Sequence, residues 1–230
     1  MPILENPAPA GAEAAWKPRP QKPKLRANEV HIWRASLDDP RLLSAKALET
    51  LSLRELIRGG KRDATGGGER YLALRVFLRT ALSRYLVVAP EDVKLPDDVC
   101  AKPMRLPLST LYFCCGESDG LALVAISATD EFGMDVERVR EDLPFDEMAA
   151  HFFDPQSQWS VRTLFCRKEK AWKFFDFWTT SEACSKAKAS AMQQRPTDFF
   201  SIHRLLPASG FLAALAVHRR CARVALWDWR

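Results

Sequence analysis

The segment GMDVE (133–137) carries two carboxylates, Asp135 and Glu137, one residue apart. Glycine opens the run and Met134 alternates with Val136, so the spacing predicts a strand. Side chains two apart on a strand share a face, and the two acids can aim at one point. Oxygen-only ligands of this kind suit Mg2+, which keeps several waters and also takes substrate phosphates. The same D-x-E pattern fits a solvent-facing strand with two hydrated acids. Further along, Glu182 and Lys186 lie four apart in TTSEACSKAKASAM (179–192). A helix there places both on one face. The pair is either an acid and a cation turned on a metal–phosphate centre or a surface pair worth about 0.2–0.5 kcal/mol.

Other chemistries lack their spacing. The six cysteines contain no CxxC and the four histidines are scattered, so no zinc pattern is present. Buried, reduced thiols are expected for most of the six, with Cys114 and Cys115 on opposite strand faces. No Ser-His-Asp arrangement follows from these spacings. The ATGGG loop (64–68) precedes a helix but lacks the Gly-Lys-Ser/Thr ending of a phosphate-binding loop.

The elements that must position these residues are legible in outline. EVHIWRASL (29–37) alternates as a strand, and SAKALETLSLRELIRG reads as helix up to Gly59-Gly60. ERYLALRVFLRTALSRYL (69–86) is the strongest helix; Leu72, Val76, Leu78 and Leu82 form its apolar stripe, and Arg75 and Arg79 are expected in solvent. Two apolar runs, 111–115 and 121–128, flank GESDG and predict a hairpin. Helices are expected at 145–153, 159–175 and 179–192, the last capped by Thr179, Thr180 or Ser181. Trp172 and Trp178 are expected to pack in the core, and His151 to end a helix. GFLAALAVHR and CARVALWDW close the chain as strands.

Composition bounds the function classes. The chain has 230 residues, is 47% hydrophobic and carries 34 basic against 29 acidic side chains, a net charge of +5. That supports a packed core and excludes wholesale disorder. Residues 1–27 hold six of the fifteen prolines and a charge of +3, so most of the basicity sits in an expected disordered tail. Nucleic acid is therefore not an expected partner. No apolar run reaches the ~18–20 residues of a membrane span, and no signal peptide is expected. A cytoplasmic protein follows.

The order of the motifs adds a resemblance. KPMRLPLSTLYFCCGESDGLALVAISATDEFGMDVE (102–137) resembles the central segment of the surfactin-type 4′-phosphopantetheinyl transferases. There a GKP element precedes a strand ending in N-x-S-H-S, an apolar strand and G-[IV]-D-[IV]-E. FFDFWTTSEACSKA is similar to that family's W-[ST]-x-K-E-[AS]-x-x-K helix, and ERYLALRVFLRTALSRYLVVAPEDV to its arginine-rich helix. EVHIWRASL, HFFDP and FLAALAV fall where the family has matching elements. The resemblance spans roughly residues 29 to 218.

The resemblance implies an α+β fold of two similar α/β lobes, 28–138 and 139–230, with the site in the cleft between them. It implies a monomeric enzyme that moves 4′-phosphopantetheine from coenzyme A to a serine of an acyl or peptidyl carrier protein, releasing 3′,5′-ADP. Asp135, Glu137 and Glu182 would bind Mg2+, Lys186 would sit at the pyrophosphate, and Glu182 would be the base for the serine. Arg70 would touch the 3′-phosphate, and Lys102 and Pro103 would lie beside the adenine. Glu117 and Ser118 occupy the N-x-S-H-S positions that contact coenzyme A. Glu117 replaces the histidine there, Ser181 replaces the lysine of K-E, and Ala101 replaces the glycine of GKP. The coenzyme A motif is thus degenerate. A non-catalytic homologue that binds coenzyme A or a carrier protein without transfer is the alternative.

Overall fold

The computed structural model describes residues 16–63, 67–100, 102–107, 109–128, 132–190, 200–218 and 223–230. Positions 1–15 of the expected tail, the first three residues of ATGGG, Ala101, the helix end 191–192 and Arg219-Arg220 lie outside the described residues.

The chain runs through β1 (Lys17–Pro18), β2 (Glu29–Ser36), α1 (Ala45–Leu48), α2 (Leu53–Asp63), α3 (Gly68–Leu86), β3 (Met104–Arg105), β4 (Tyr112–Ser118) and β5 (Leu121–Ser127). It continues with β6 (Phe132–Arg138), α4 (Phe145–Phe152), α5 (Pro155–Arg162), α6 (Arg167–Ser190), β7 (Phe200–Leu205), β8 (Phe211–His218) and β9 (Arg223–Asp228). The class is α+β, as expected. The chain divides into two compact units, one of Ala15–Asp130 with Cys221–Arg230, the other with its described part in Glu131–Arg220. No described helix is long and apolar enough to cross a membrane.

In the first unit the sheet order is β1-β9-β2-β5-β4-β3. Trp33, Phe113, Cys115, Val124 and Ile126 alternate along β2, β4 and β5, and their common face meets Phe77, Leu78 and Leu82 of α3. Each such side chain, fully buried, contributes about 1.5–3 kcal/mol. The β4–β5 turn is only Asp119-Gly120, both at positive φ (44° and 78°). Asp and Gly are residues that tolerate this conformation, and the tight turn leaves Gly116, Glu117 and Ser118 in the strand rather than in a loop.

Several expectations need correction here. Arg75 and Arg79 are not in solvent; they are 2% and 6% exposed. Their guanidinium groups bond Glu55 at 2.5 and 2.8 Å, and Arg79 also donates to the carbonyls of Pro90, Glu91 and Val93. Buried charge is tolerable when paired and hydrogen-bonded in this way. Residues 16–18 of the expected tail are placed against the sheet: β1 pairs in parallel with Trp227 and Asp228, and Arg34 stacks 4.7 Å over Trp16. The closing strands separate. β8 pairs with β6 and β7, whereas β9 runs parallel to β2 in the other sheet. β6, placed by sequence in the N-terminal lobe, therefore belongs to the second unit, and the chain end to the first.

The second unit is a three-stranded sheet ordered β6-β8-β7, with α6 lying on β6 and β8. Asp154 caps α5 by accepting from the amides of Gln156 and Ser157, with Pro155 as first helical residue. The expected break before residue 179 is absent, and α6 is one helix. Thr179 does not cap it; its hydroxyl donates to the Phe175 carbonyl at 2.8 Å, inside a continuous turn. Phe174 and Phe175, buried against Phe145 and Ala149, anchor the helix through that point, with Trp172 and Trp178 packed beside them as expected.

Candidate active site

Gly133 sets the distance between β6 and α6. A Cβ at this position would lie 2.5 Å from the Ala187 amide nitrogen, 2.9 Å from the Lys186 Cβ and closer still to the Ala183 carbonyl oxygen. Only glycine permits that backbone approach. It brings one turn of α6 directly over the strand, and Gly133 and Asp135 share the face below it.

Asp135 is 7% exposed. The Lys186 ammonium donates to its Oδ1 at 2.8 Å and to the Met134 carbonyl at 3.2 Å. Its other oxygen, Oδ2, is buried with no hydrogen-bond partner. Burial pushes the Asp135 carboxyl up to about 6; Lys186 opposes the shift by charge and hydrogen bond, and the negative charges of Glu137 and Glu182 add to it. Both of these acids are partly exposed. The strand and the helix thus bring Asp135, Lys186, Glu137 and Glu182 into one electrostatic neighbourhood. They do not bring three acids into contact, since no three His, Cys, Asp or Glu side chains among the described residues stand close enough to hold a metal ion. Ser181 is exposed on the same helix.

The orphaned Oδ2 is the observation that bears on a cation. A buried carboxylate oxygen without a donor is costly, and a divalent ion is one group that satisfies it. The donor set, all oxygen, fits Mg2+.

In the first unit Glu117 lines a cavity of about 630 Å³ with Arg58, Lys61, Arg62, Asp97 and Cys100. The surrounding protein raises the Glu117 carboxyl above its usual range, and Arg70 and Arg62 oppose that shift. Ser118 is half-buried, beside the tight turn. Arg70 is engaged: Asp38 accepts from its Nε and Nη2 at 2.8 and 3.0 Å, and Asp119 lies 3.7 Å from Nη1. Lys102 is exposed and Pro103 buried, and both line a different groove, of about 580 Å³, with Lys94, Met104 and Arg105. The residues expected around coenzyme A are therefore not gathered in one cavity.

Sequence reasoning missed Arg58, Lys61 and Arg62. The signal was the basic run RGGKR at the end of α2, read there only as a helix boundary. It also missed the close-approach role of Gly133, although glycine at the start of a strand is a cue for it.

The chain is similar over most of its length to two curated proteins. It is 32% identical over 221 residues to the 4′-phosphopantetheinyl transferase HetI of Nostoc sp., covering 88% of this chain and 93% of that one. It is 27% identical over 190 residues to slr0495 of Synechocystis sp., whose name carries the same family designation, covering 79% and 76%. No family model matches the chain.

Proposed function

The chain belongs to the 4′-phosphopantetheinyl transferase family and is a transferase, and from that premise we propose that it moves 4′-phosphopantetheine from coenzyme A to a carrier-protein serine. The reaction releases 3′,5′-ADP and depends on Mg2+. The observation that supports it is the buried Asp135 carboxylate, held on one oxygen by Lys186 and orphaned on the other.

Attack by a serine hydroxyl on a phosphorus flanked by anionic oxygens has two needs: charge neutralisation and an acceptor for the serine proton. Asp135 would offer Mg2+ its unpartnered oxygen, and Glu137 and Glu182, which do not stand in a ready-made metal cluster, would have to turn towards the ion to complete its ligands; when bound, Mg2+ neutralises diphosphate charge. Lys186 fixes the orientation of Asp135 and offers a second positive charge to the diphosphate. Glu182, partly exposed on α6, takes the serine proton on a carboxylate oxygen. In the first unit Lys102, Pro103, Ser118 and Arg70 would contact coenzyme A. Glu117 is tolerable near an anion because Arg62 and Arg70 act on it. To reach the 3′-phosphate, Arg70 would exchange one of its carboxylate partners for it.

The test is the intact mass of an apo carrier protein after incubation with coenzyme A, Mg2+ and this protein. A gain of one phosphopantetheine is expected. An unmodified carrier that nonetheless binds the protein would favour the non-catalytic reading instead.

A further inference from the structure

The cavity of about 630 Å³ is lined by as many acids as bases: Arg58, Lys61 and Arg62 against Asp97, Asp98 and Glu117. Its cations are also engaged. Arg58 forks both oxygens of Asp97, Nη1 at 2.7 Å from Oδ1 and Nη2 at 2.9 Å from Oδ2. Arg54, one turn earlier on α2, shares that carboxylate at 2.5 Å. Arg70, the residue before Tyr71, is divided between Asp38 and Asp119. Arg62 lies over the Tyr71 ring, 4.6 Å from its centroid. A phosphate dianion is held by cations in excess over acids. Here the lining carries no net charge, and Arg58 and Arg70 already face carboxylates.

Tyr71 carries the opposite signal. It is 7% exposed and lines the cavity, yet its hydroxyl is buried with no hydrogen-bond partner. An orphaned buried hydroxyl is costly, and an uncharged ligand hydroxyl satisfies it without meeting the three acids as a like charge.

We propose that this cavity takes the ribose of the donor nucleotide without selecting for the 3′-phosphate, so that 3′-dephospho-coenzyme A is a donor comparable with coenzyme A. The proposal rests on the transferase reading. In coenzyme A the 3′-phosphate gains guanidinium groups but meets Asp97, Asp98 and Glu117, and the two effects offset each other. A 3′-hydroxyl avoids that repulsion and can pair with Tyr71. The transfer step is otherwise the same. The serine oxygen bonds to the phosphorus that carries the pantetheine arm, and the bond from that phosphorus to the bridging oxygen breaks. The serine proton goes to Glu182, and 5′-AMP leaves in place of 3′,5′-ADP.

The experiment uses the full chain with Mg2+. Calorimetry measures its affinity for coenzyme A and for 3′-dephospho-coenzyme A at low and high salt. The two are expected to bind within about fivefold of each other, with a ratio that salt barely moves. A larger preference for coenzyme A that grows as salt falls overturns the proposal, and so does the absence of binding by both. Asp97→Asn and Glu117→Gln each leave a cation unopposed and should each raise the preference for coenzyme A about fivefold at low salt. If both keep the wild-type ratio, charge balance is not the cause and the proposal falls. Tyr71→Phe should weaken both donors alike; unchanged affinities would put the ribose outside the cavity and overturn the proposal. Circular dichroism of each variant separates loss of binding from loss of the fold. Intact mass of an apo carrier protein incubated with each donor then tests the premise separately. Equal modification is expected. Modification from coenzyme A alone overturns the proposal and keeps the transferase reading, whereas equal binding with no modification from either overturns that reading and keeps the unselective cavity.

Discussion

The Lys186 ammonium lies 2.8 Å from one oxygen of Asp135, fifty-one residues earlier in the chain, while the other oxygen of that carboxylate is buried without a partner. One strand and one helix make this contact, and it joins the D-x-E segment to the E-x-x-x-K segment. Lys186→Met should abolish phosphopantetheine transfer and lower stability by about 1–3 kcal/mol at neutral pH, because it strands a buried carboxylate. Adding Asp135→Asn should return most of that stability without returning transfer. Thermal melts of the single and double variants decide it; purely additive losses would show that the two residues are uncoupled.

Gly133→Ala should be disproportionate to its one added carbon. The methyl group would meet the backbone of α6 at Ala183 and Ala187, and backbone cannot rotate away as a side chain can. A loss of roughly 1–3 kcal/mol or more is expected, with transfer falling as Lys186 is carried off Asp135. Urea denaturation and the carrier-protein mass assay are the measurements. A wild-type midpoint would mean that α6 does not press on β6.

Glu55 makes stability fall in acid. Burial raises its pKa, but hydrogen bonds from Arg79 and Ser52 and the charge of Arg75 outweigh that and lower it from 4.5 to about 2. A carboxyl depressed on folding stabilises above its unfolded pKa, and the gain is lost as pH falls through the folded one. The contribution, up to about 3 kcal/mol, should therefore be complete above pH 4.5 and drain away towards pH 2. Glu55→Gln should be less stable at pH 7 and flatter across that window. Parallel stability–pH curves for the two proteins would sink the idea.

Glu117→Gln should tighten coenzyme A binding. It removes the acid that shares the electrostatic field of Arg62 and Arg70, leaving more of their charge for a phosphate. About fivefold, roughly 1 kcal/mol, is expected for a partly exposed site at low salt, shrinking as ionic strength rises. Glu117→His should add a further gain below neutral pH, where the imidazole is cationic. Calorimetric titration of coenzyme A into the three proteins checks both, and equal affinities would place Glu117 away from the bound nucleotide.

The strand at 133–137, the long helix from 69 and a hairpin turning within GESDG (116–120) were legible because each depends on local rules. Alternation assigns faces, and Asp-Gly accepts positive φ. The opposition of Met134 and Val136 to Asp135 and Glu137 also follows from period two alone. The break expected before residue 179 was misplaced because FFDFW carries no strong helix signal of its own. Packing of Phe174 and Phe175 against Phe145 keeps that turn helical, and no local pattern reports it.

By itself, then, the sequence determined the α+β class, the faces of β6 and α6, and the residue types able to hold a cation and a phosphate. Tertiary structure alone decided that Lys186 reaches Asp135, that Arg75 and Arg79 are buried on Glu55, and that the last strand joins the first sheet beside β2. The physical reason is common to all three. Periodicity records which side of an element is apolar, whereas the state of a charge depends on what a distant segment brings against it. Arg75 and Arg79 break the apolar pattern of α3 as solvated residues would; Glu55, twenty and twenty-four residues earlier, and the carbonyls of the segment after α3 make their burial affordable.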